Sequence, residues 1–216
     1  MIIMSKHSVS KCSMKSDMPG TAHPRPRTRQ REATRRQLVE AGLRVVAEHG
    51  FAGATTAAIA RATGKAHGTV FVHFANRDAL VEALVAEVGQ AMSQRLSALP
   101  ADTCGVGEVL DAHLLALGEH EVLYARLLRE ATALPLSARA RVFALQSAVG
   151  SRLREAHARD VGRGVARAMN PVALTNLWIA LTNHYLMNRD LFAPGGSVVA
   201  LRGAELKAQL LDVLQP

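Results

Sequence analysis

Lys65, His67, Thr69 and His73 follow one another at spacings of two, two and four residues. They offer one permanent positive charge, two imidazoles that donate or accept a hydrogen bond, and a hydroxyl that carries a methyl group. Such a set suits recognition: a cation for phosphate, hydrogen bonds and a methyl for the edges of bases. The elements that must hold these side chains are short. Thr55-Thr56 offers a hydroxyl cap, residues 57–62 are helix-prone around Ile59, and Gly64 stands where a left-handed residue would end that helix. A second helix is expected over 67–73, with Val70, Phe71 and Phe74 inward and the four polar side chains outward. Two helices joined by a tight turn are what a helix-turn-helix needs, the first crossing the phosphate backbone and the second lying in the major groove. An ordinary helical hairpin fits these residues equally well.

Charge favours the nucleic-acid reading. The chain carries a formal net charge of +8, but thirteen of its 26 Lys and Arg and only four of its 18 Asp and Glu lie in residues 1–77. The whole positive excess therefore sits on and before the helix-turn-helix candidate, as a phosphate-backbone partner requires. Arg35, near the start of the preceding helix, would bind phosphate if DNA lies close. No Arg, Asn or Gln stands on the 67–73 helix to make a bidentate base contact, so sequence reading there would lean on apolar contact and DNA shape.

At 216 residues the chain is one large domain or two small ones, and with 49% hydrophobic but only 4% aromatic residues it reads as all-α. No apolar run reaches the length of a membrane span, and the N-terminus lacks the apolar core of a secretory signal. Cys12 and Cys104 are isolated and form no disulfide framework, which fits a reducing, cytoplasmic setting. Residues 1–29 read as a disordered basic arm carrying Lys6, Lys11, Lys15, Arg25, Arg27 and Arg29. That arm either reaches for DNA or is an over-long N-terminus, with Met4, Met14 and Met18 as other possible starts.

Helices are expected over 31–48, 77–99, 106–118, 119–134, 137–158, 171–191 and 198–214. Asn76 caps the long helix from 77, and Asn170-Pro171 marks another clear start. The division expected is an arm (1–29), a DNA-binding unit (30–76) and a helical body (77–216).

Segment 34–80 resembles the N-terminal DNA-binding domain of the tetracycline-repressor (TetR) family. The likeness is carried by Ala41-Gly42-Leu43, Gly50-Phe51, Thr55-Thr56, Ile59-Ala60, Gly64, Gly68-Thr69, His73-Phe74 and Asn76-Arg77-Asp78-Ala79-Leu80. The resemblance implies a three-helix DNA-binding domain followed by a C-terminal bundle that binds a ligand and dimerises. It implies a homodimeric transcriptional regulator released from a palindromic double-stranded operator by a small molecule of unknown identity, with no cofactor. Position by position it implies phosphate contact at Thr56 and Arg77, base-edge contact at His67 and Thr69, and DNA contact at His73. Three departures stand out: Lys65 where an apolar residue is common, Ala66 where a serine or threonine often stands, and Phe71 where a tyrosine often stands. Ala66 and Phe71 remove two hydroxyl donors, and Lys65 restores one point charge.

In the body, Met92, Leu114, Leu117, Tyr124, Leu127, Phe143, Trp178 and Tyr185 are candidates to line a ligand pocket, although ordinary core packing accounts for each of them too. The last two long helices have wide apolar faces, and Leu174, Leu177, Leu181, Leu201, Ala204 and Leu211 are the expected dimer contacts. His113, His120, Glu119 and Glu121 lack metal-ligand spacing, so no metal is expected. Two rivals remain: an architectural DNA-binding protein without effector, and a helical enzyme, for which no catalytic motif is present.

Overall fold

The computed structural model describes residues 26–216, and among them every regular element is helical. The chain runs through α1 (Pro26–Gly53), α2 (Thr56–Thr63), α3 (His67–His73), α4 (Arg77–Ser97), α5 (Val106–Glu119) and α6 (Glu121–Arg129). A 3₁₀ turn (Ala131–Ala133) leads to α7 (Leu136–Gly162), α8 (Pro171–Met187), the short α9 (Arg189–Phe192) and α10 (Val198–Leu214). Proline at the first helical position lets α1 begin at Pro26, so residues 26–29 are helical rather than part of an arm. The rest of the expected arm, with Lys6, Lys11, Lys15, Arg25, Cys12 and the alternative starts, lies outside the described residues.

The long α1 and the short α2 and α3 pack by burying one stripe each. Leu38, Ala41, Val46, Ile59, Val70 and Phe74 are almost wholly buried together. That core continues without a break into Leu80, Leu84, Leu127, Leu134 and Val142 of the body, so no gap in packing marks residue 76. α4 is the axis of the molecule. Its Leu80, Leu84 and Val85 join this first core, its Val88 and Met92 a second with Leu117 and Tyr124, and its Leu96 a third with Leu110, Leu153 and Trp178. At 1.5 Å rise per residue, α4 spans roughly 30 Å.

Local signals place the ends of these helices. The Thr55 hydroxyl accepts from Ala58 N at 3.1 Å, Asn76 Oδ1 from Ala79 N at 2.8 Å, and Ser197 Oγ from Ala200 N at 3.1 Å. Asn170 Oδ1 accepts from Val172 N and Ala173 N ahead of Pro171. The expected single helix over 119–134 is divided instead: α5 runs through Gly118, His120 leaves helical geometry, and α6 stops at Arg129. The helix expected over 171–191 ends at Met187.

Gly50 interrupts α1 at φ 71°, ψ 176°, a backbone that favours glycine. A Cβ there would collide with the Glu130 carboxylate, which accepts from Ala52 N at 3.1 Å. The junction between α1 and α2 is thus held from the body.

Candidate functional site

The turn between α2 and α3 is built as its residues predict. Gly64 adopts φ 65°, and Lys65 N donates to the Ala60 carbonyl at 3.0 Å, closing α2. α3 then starts at His67 with Ala66 as its cap residue, and no side chain bonds to the free amides there. Val70 and Phe74 are buried beneath α3. Phe71, expected inward, is 47% exposed. It stands about 100° round the helix from Val70, and the seven residues of α3 bury only one narrow stripe. Its ring meets His67 edge-on, with centroids 5.0 Å apart.

Thr56 Oγ1 and His67 Nε2 are 2.9 Å apart, so the first helix positions the ring that opens the second. Thr69 is half-buried, and its hydroxyl has no hydrogen-bond partner among the described residues. Lys65 and His73 are half-buried beside it. Arg35 lies over the Phe74 ring with its guanidinium carbon 4.9 Å from the centroid, and Arg31 donates to the Val72 carbonyl at 3.4 Å. Burial first, then the charges of Arg31, Arg35 and Lys65, hold the His73 pKa below its ordinary 6.5. Arg35, Lys65 and His73 thus gather in one electropositive patch that Arg31 completes. Arg31 lies four residues before Arg35 on α1, and that spacing was the signal available for it. Arg77 is turned elsewhere: its guanidinium donates to the Phe51 carbonyl at 2.8 Å.

The candidate ligand residues do not line one space. Met92, Leu117, Leu127, Tyr124 and Trp178 are almost wholly buried, Leu114 is buried and Tyr185 half-buried, spread over all three cores. Phe143 is 64% exposed and belongs to none of the cores, because it stands about 100° round α7 from the buried Val142. A cavity of about 390 Å³ lies between α4, α6 and α7, and of the eight candidates only Tyr124 and Leu127 border it. Val85, Val88, Val142 and Leu145 supply apolar wall, and the exposed Gln90, Ser93 and Arg141 its rim. No periodicity pointed to those three polar residues.

Other titratable groups have structural duties. Trp178 Nε1 donates to His113 Nδ1 at 2.9 Å, and burial lowers the His113 pKa to about 4. Glu121 accepts from Ser197 Oγ at 2.6 Å, Val198 N at 2.9 Å and Val199 N at 3.1 Å, anchoring the start of α10. Burial works to raise the Glu121 pKa, but these bonds and Arg189 together hold it below the ordinary value. Glu119 pairs with Arg95. Among the described residues no group of His, Cys, Asp or Glu has the arrangement of a metal site.

Of the expected dimer contacts, Leu174 is wholly buried against its own core with Trp178, one turn along the same stripe, so it faces inward. Leu177, Leu201 and Ala204 are exposed, and Leu181 and Leu211 half-buried.

Residues 38–84 match the model of a family described as bacterial regulatory proteins, tetR family. The chain is 27% identical over 183 residues to the HTH-type transcriptional repressor AcnR of Corynebacterium efficiens, covering 84% of this chain and 90% of that protein. Residues 38–84 are thus similar to the DNA-binding segment of the tetR family. The fold of the chain is that of solved tetR-like regulators. FadR from Bacillus subtilis, solved in complex with stearoyl-CoA, superposes with a TM-score of 0.67 at 16% identity, over 83% of this chain and 99% of that one. NalD of Pseudomonas aeruginosa, the secondary repressor of the MexAB-OprM multidrug efflux pump, gives 0.65 at 23% identity, over 86% and 98%. The family match and the AcnR relative support a DNA-binding transcription regulator. No helix among the described residues is long and apolar enough to cross a membrane.

Proposed function

We propose that the chain is a homodimeric repressor that grips a palindromic operator with one α3 per protomer and releases it when a small molecule occupies the cavity between α4, α6 and α7. Residues 30–76 are the DNA-reading unit, and 77–216 bind the ligand and the second protomer. His67 and Thr69 meet base edges, while Arg35, Thr56, Lys65, His73 and Arg77 face phosphate. The Thr56 hydroxyl and one arm of Arg77 are already engaged within the protein, so their phosphate contacts use the remaining hydrogen-bonding capacity.

One observation carries the coupling. The two helices that border the cavity, α4 and α6, also hold the α1–α2 junction: Arg77 at the start of α4 donates to the Phe51 carbonyl, and Glu130 just after α6 accepts from Ala52 N. A ligand that shifts α4 against α6 therefore moves α2 and α3, and with them the spacing between the two recognition helices. Release follows if the ligand binds the misfitting spacing more tightly than the fitting one. AcnR and NalD are repressors by name, and the FadR complex shows a tetR-like fold holding a ligand, which supports both halves of the proposal.

Selection of binding sites from random duplex DNA by the purified protein tests it. Enrichment of a two-fold-symmetric site with half-sites about ten base pairs apart is the expected result. Uniform coating without an enriched sequence points instead to an architectural protein and contradicts the proposal.

A further inference from the structure

The cavity between α4, α6 and α7 has a chemical asymmetry. Arg141 carries the one formal charge among the residues that line it, and no Asp or Glu borders it. Among the described residues Arg141 has neither an ion-pair nor a hydrogen-bond partner, whereas nine of the other arginines of the body, from Arg95 to Arg202, are paired with a carboxylate or bonded to a carbonyl. At the closed side stands Tyr124, only 1% exposed. Its oxygen accepts from Gln146 Nε2 at 3.2 Å, but its own proton has no acceptor among the described residues. A buried hydroxyl with an unmatched proton costs stability unless an acceptor arrives. Between these two groups the wall is apolar, from Val85, Val88, Leu127 and Leu145. At about 390 Å³ the space is near the small end of the range for ligand sites, which runs from about 300 to 1,000 Å³.

We infer that the cavity takes a medium-chain carboxylic acid carrying a neutral oxygen acceptor at its buried end. The inference rests on the ligand-controlled function proposed for the chain. The carboxylate meets Arg141 at the solvent-open rim, where its charge stays partly hydrated. The chain lies along the apolar wall. The far oxygen accepts the Tyr124 proton. A second carboxylate at that end would be desolvated with no cation to face it, so a hydroxyl or carbonyl is the group that fits. A cationic ligand would meet Arg141 as a like charge.

Titration calorimetry with octanoate, its ω-hydroxy derivative and octanol separates the parts, using the full-length protein. The hydroxy acid is expected to bind about tenfold more tightly than octanoate, and octanoate about tenfold more tightly than octanol, as a hydrogen bond and a charged contact are worth. Arg141→Gln brings octanoate down to the level of octanol. Tyr124→Phe removes the advantage of the hydroxy acid and leaves octanoate unchanged. The melting temperature of the free protein and its binding to the selected duplex confirm that each variant is folded. Equal binding of acid and alcohol, insensitivity to Arg141→Gln, or no binding of any probe overturns the inference. Those outcomes leave the DNA selection untouched, so a wrong ligand class is distinguishable from a wrong function.

Discussion

Thr69 sits in the middle of α3, half-buried, with a hydroxyl that has no hydrogen-bond partner among the described residues. Its methyl and hydroxyl are the elements suited to a thymine methyl or a single base-edge hydrogen bond. Thr69→Ala is expected to weaken operator binding by about 1–2 kcal/mol and to relax selectivity at one position, with the salt slope unchanged; competition titrations against single-base operator variants measure both. His73 gives a pH signature. Burial and three nearby cations hold its pKa below 6.5 in the free protein, so it is neutral at pH 7. A phosphate placed beside it favours the charged form, so the complex binds more protons than the free protein and affinity rises as pH falls. Roughly a fivefold gain is expected from about pH 7.5 to about pH 6, and His73→Gln flattens it. His113 acts on stability with its own sign. Its folded pKa of about 4 lies below the ordinary 6.5, so the unfolded chain binds the extra proton. The contribution is present above that ordinary value and lost as pH falls toward the folded one. Urea titrations should show about 2 kcal/mol more loss between about pH 7 and about pH 5 than in His113→Gln, which keeps an acceptor for Trp178.

At the scale of elements, the caps were legible and the orientations were not. Thr55, Gly64, Asn76, Asn170 and Ser197 announce helix ends because capping is local chemistry, decided within four residues. Periodicity tells which residues share a helical face, but neighbouring apolar residues about 100° apart compete for the same core, and only packing decides between them. Val70 won over Phe71, Val142 over Phe143, and Leu174 joined Trp178 rather than Leu177. Glu130 was invisible for another reason: its partners, Ala52 N and the space over Gly50, lie 78 and more residues away along the chain. It is nonetheless the link through which α6 holds the α1–α2 junction. Glu130→Gln keeps one oxygen acceptor, and Glu130→Ala removes both. Glu130→Ala is expected to leave ligand affinity within about twofold while reducing the ligand's effect on operator affinity at least about fivefold. Glu130→Gln should lie between wild type and Glu130→Ala, as linked titrations with and without ligand would report.

For the whole molecule, the split of charge was the most informative property readable from the sequence, because an electrostatic footprint needs no side-chain orientation to be seen. Partnering was less readable. Of the six residues expected at the subunit contact, Leu177, Leu201 and Ala204 remain available on the surface of one protomer, and Leu174 does not. The double variant Leu177→Glu/Leu201→Glu is expected to sediment as a folded monomer and to lose at least about a hundredfold in operator affinity, since each half-site would then bind alone. In the proposed function, α3 of each of two protomers reads one major-groove face. Hydroxyl-radical and methylation-interference footprints on the selected duplex, with wild type and Thr69→Ala side by side, test it most directly. Two symmetric half-sites about one helical turn apart are expected, with interference at one base pair per half-site lost in Thr69→Ala while the phosphate contacts persist. A footprint without two-fold symmetry, or one that Thr69→Ala leaves unchanged in both pattern and affinity, would contradict it.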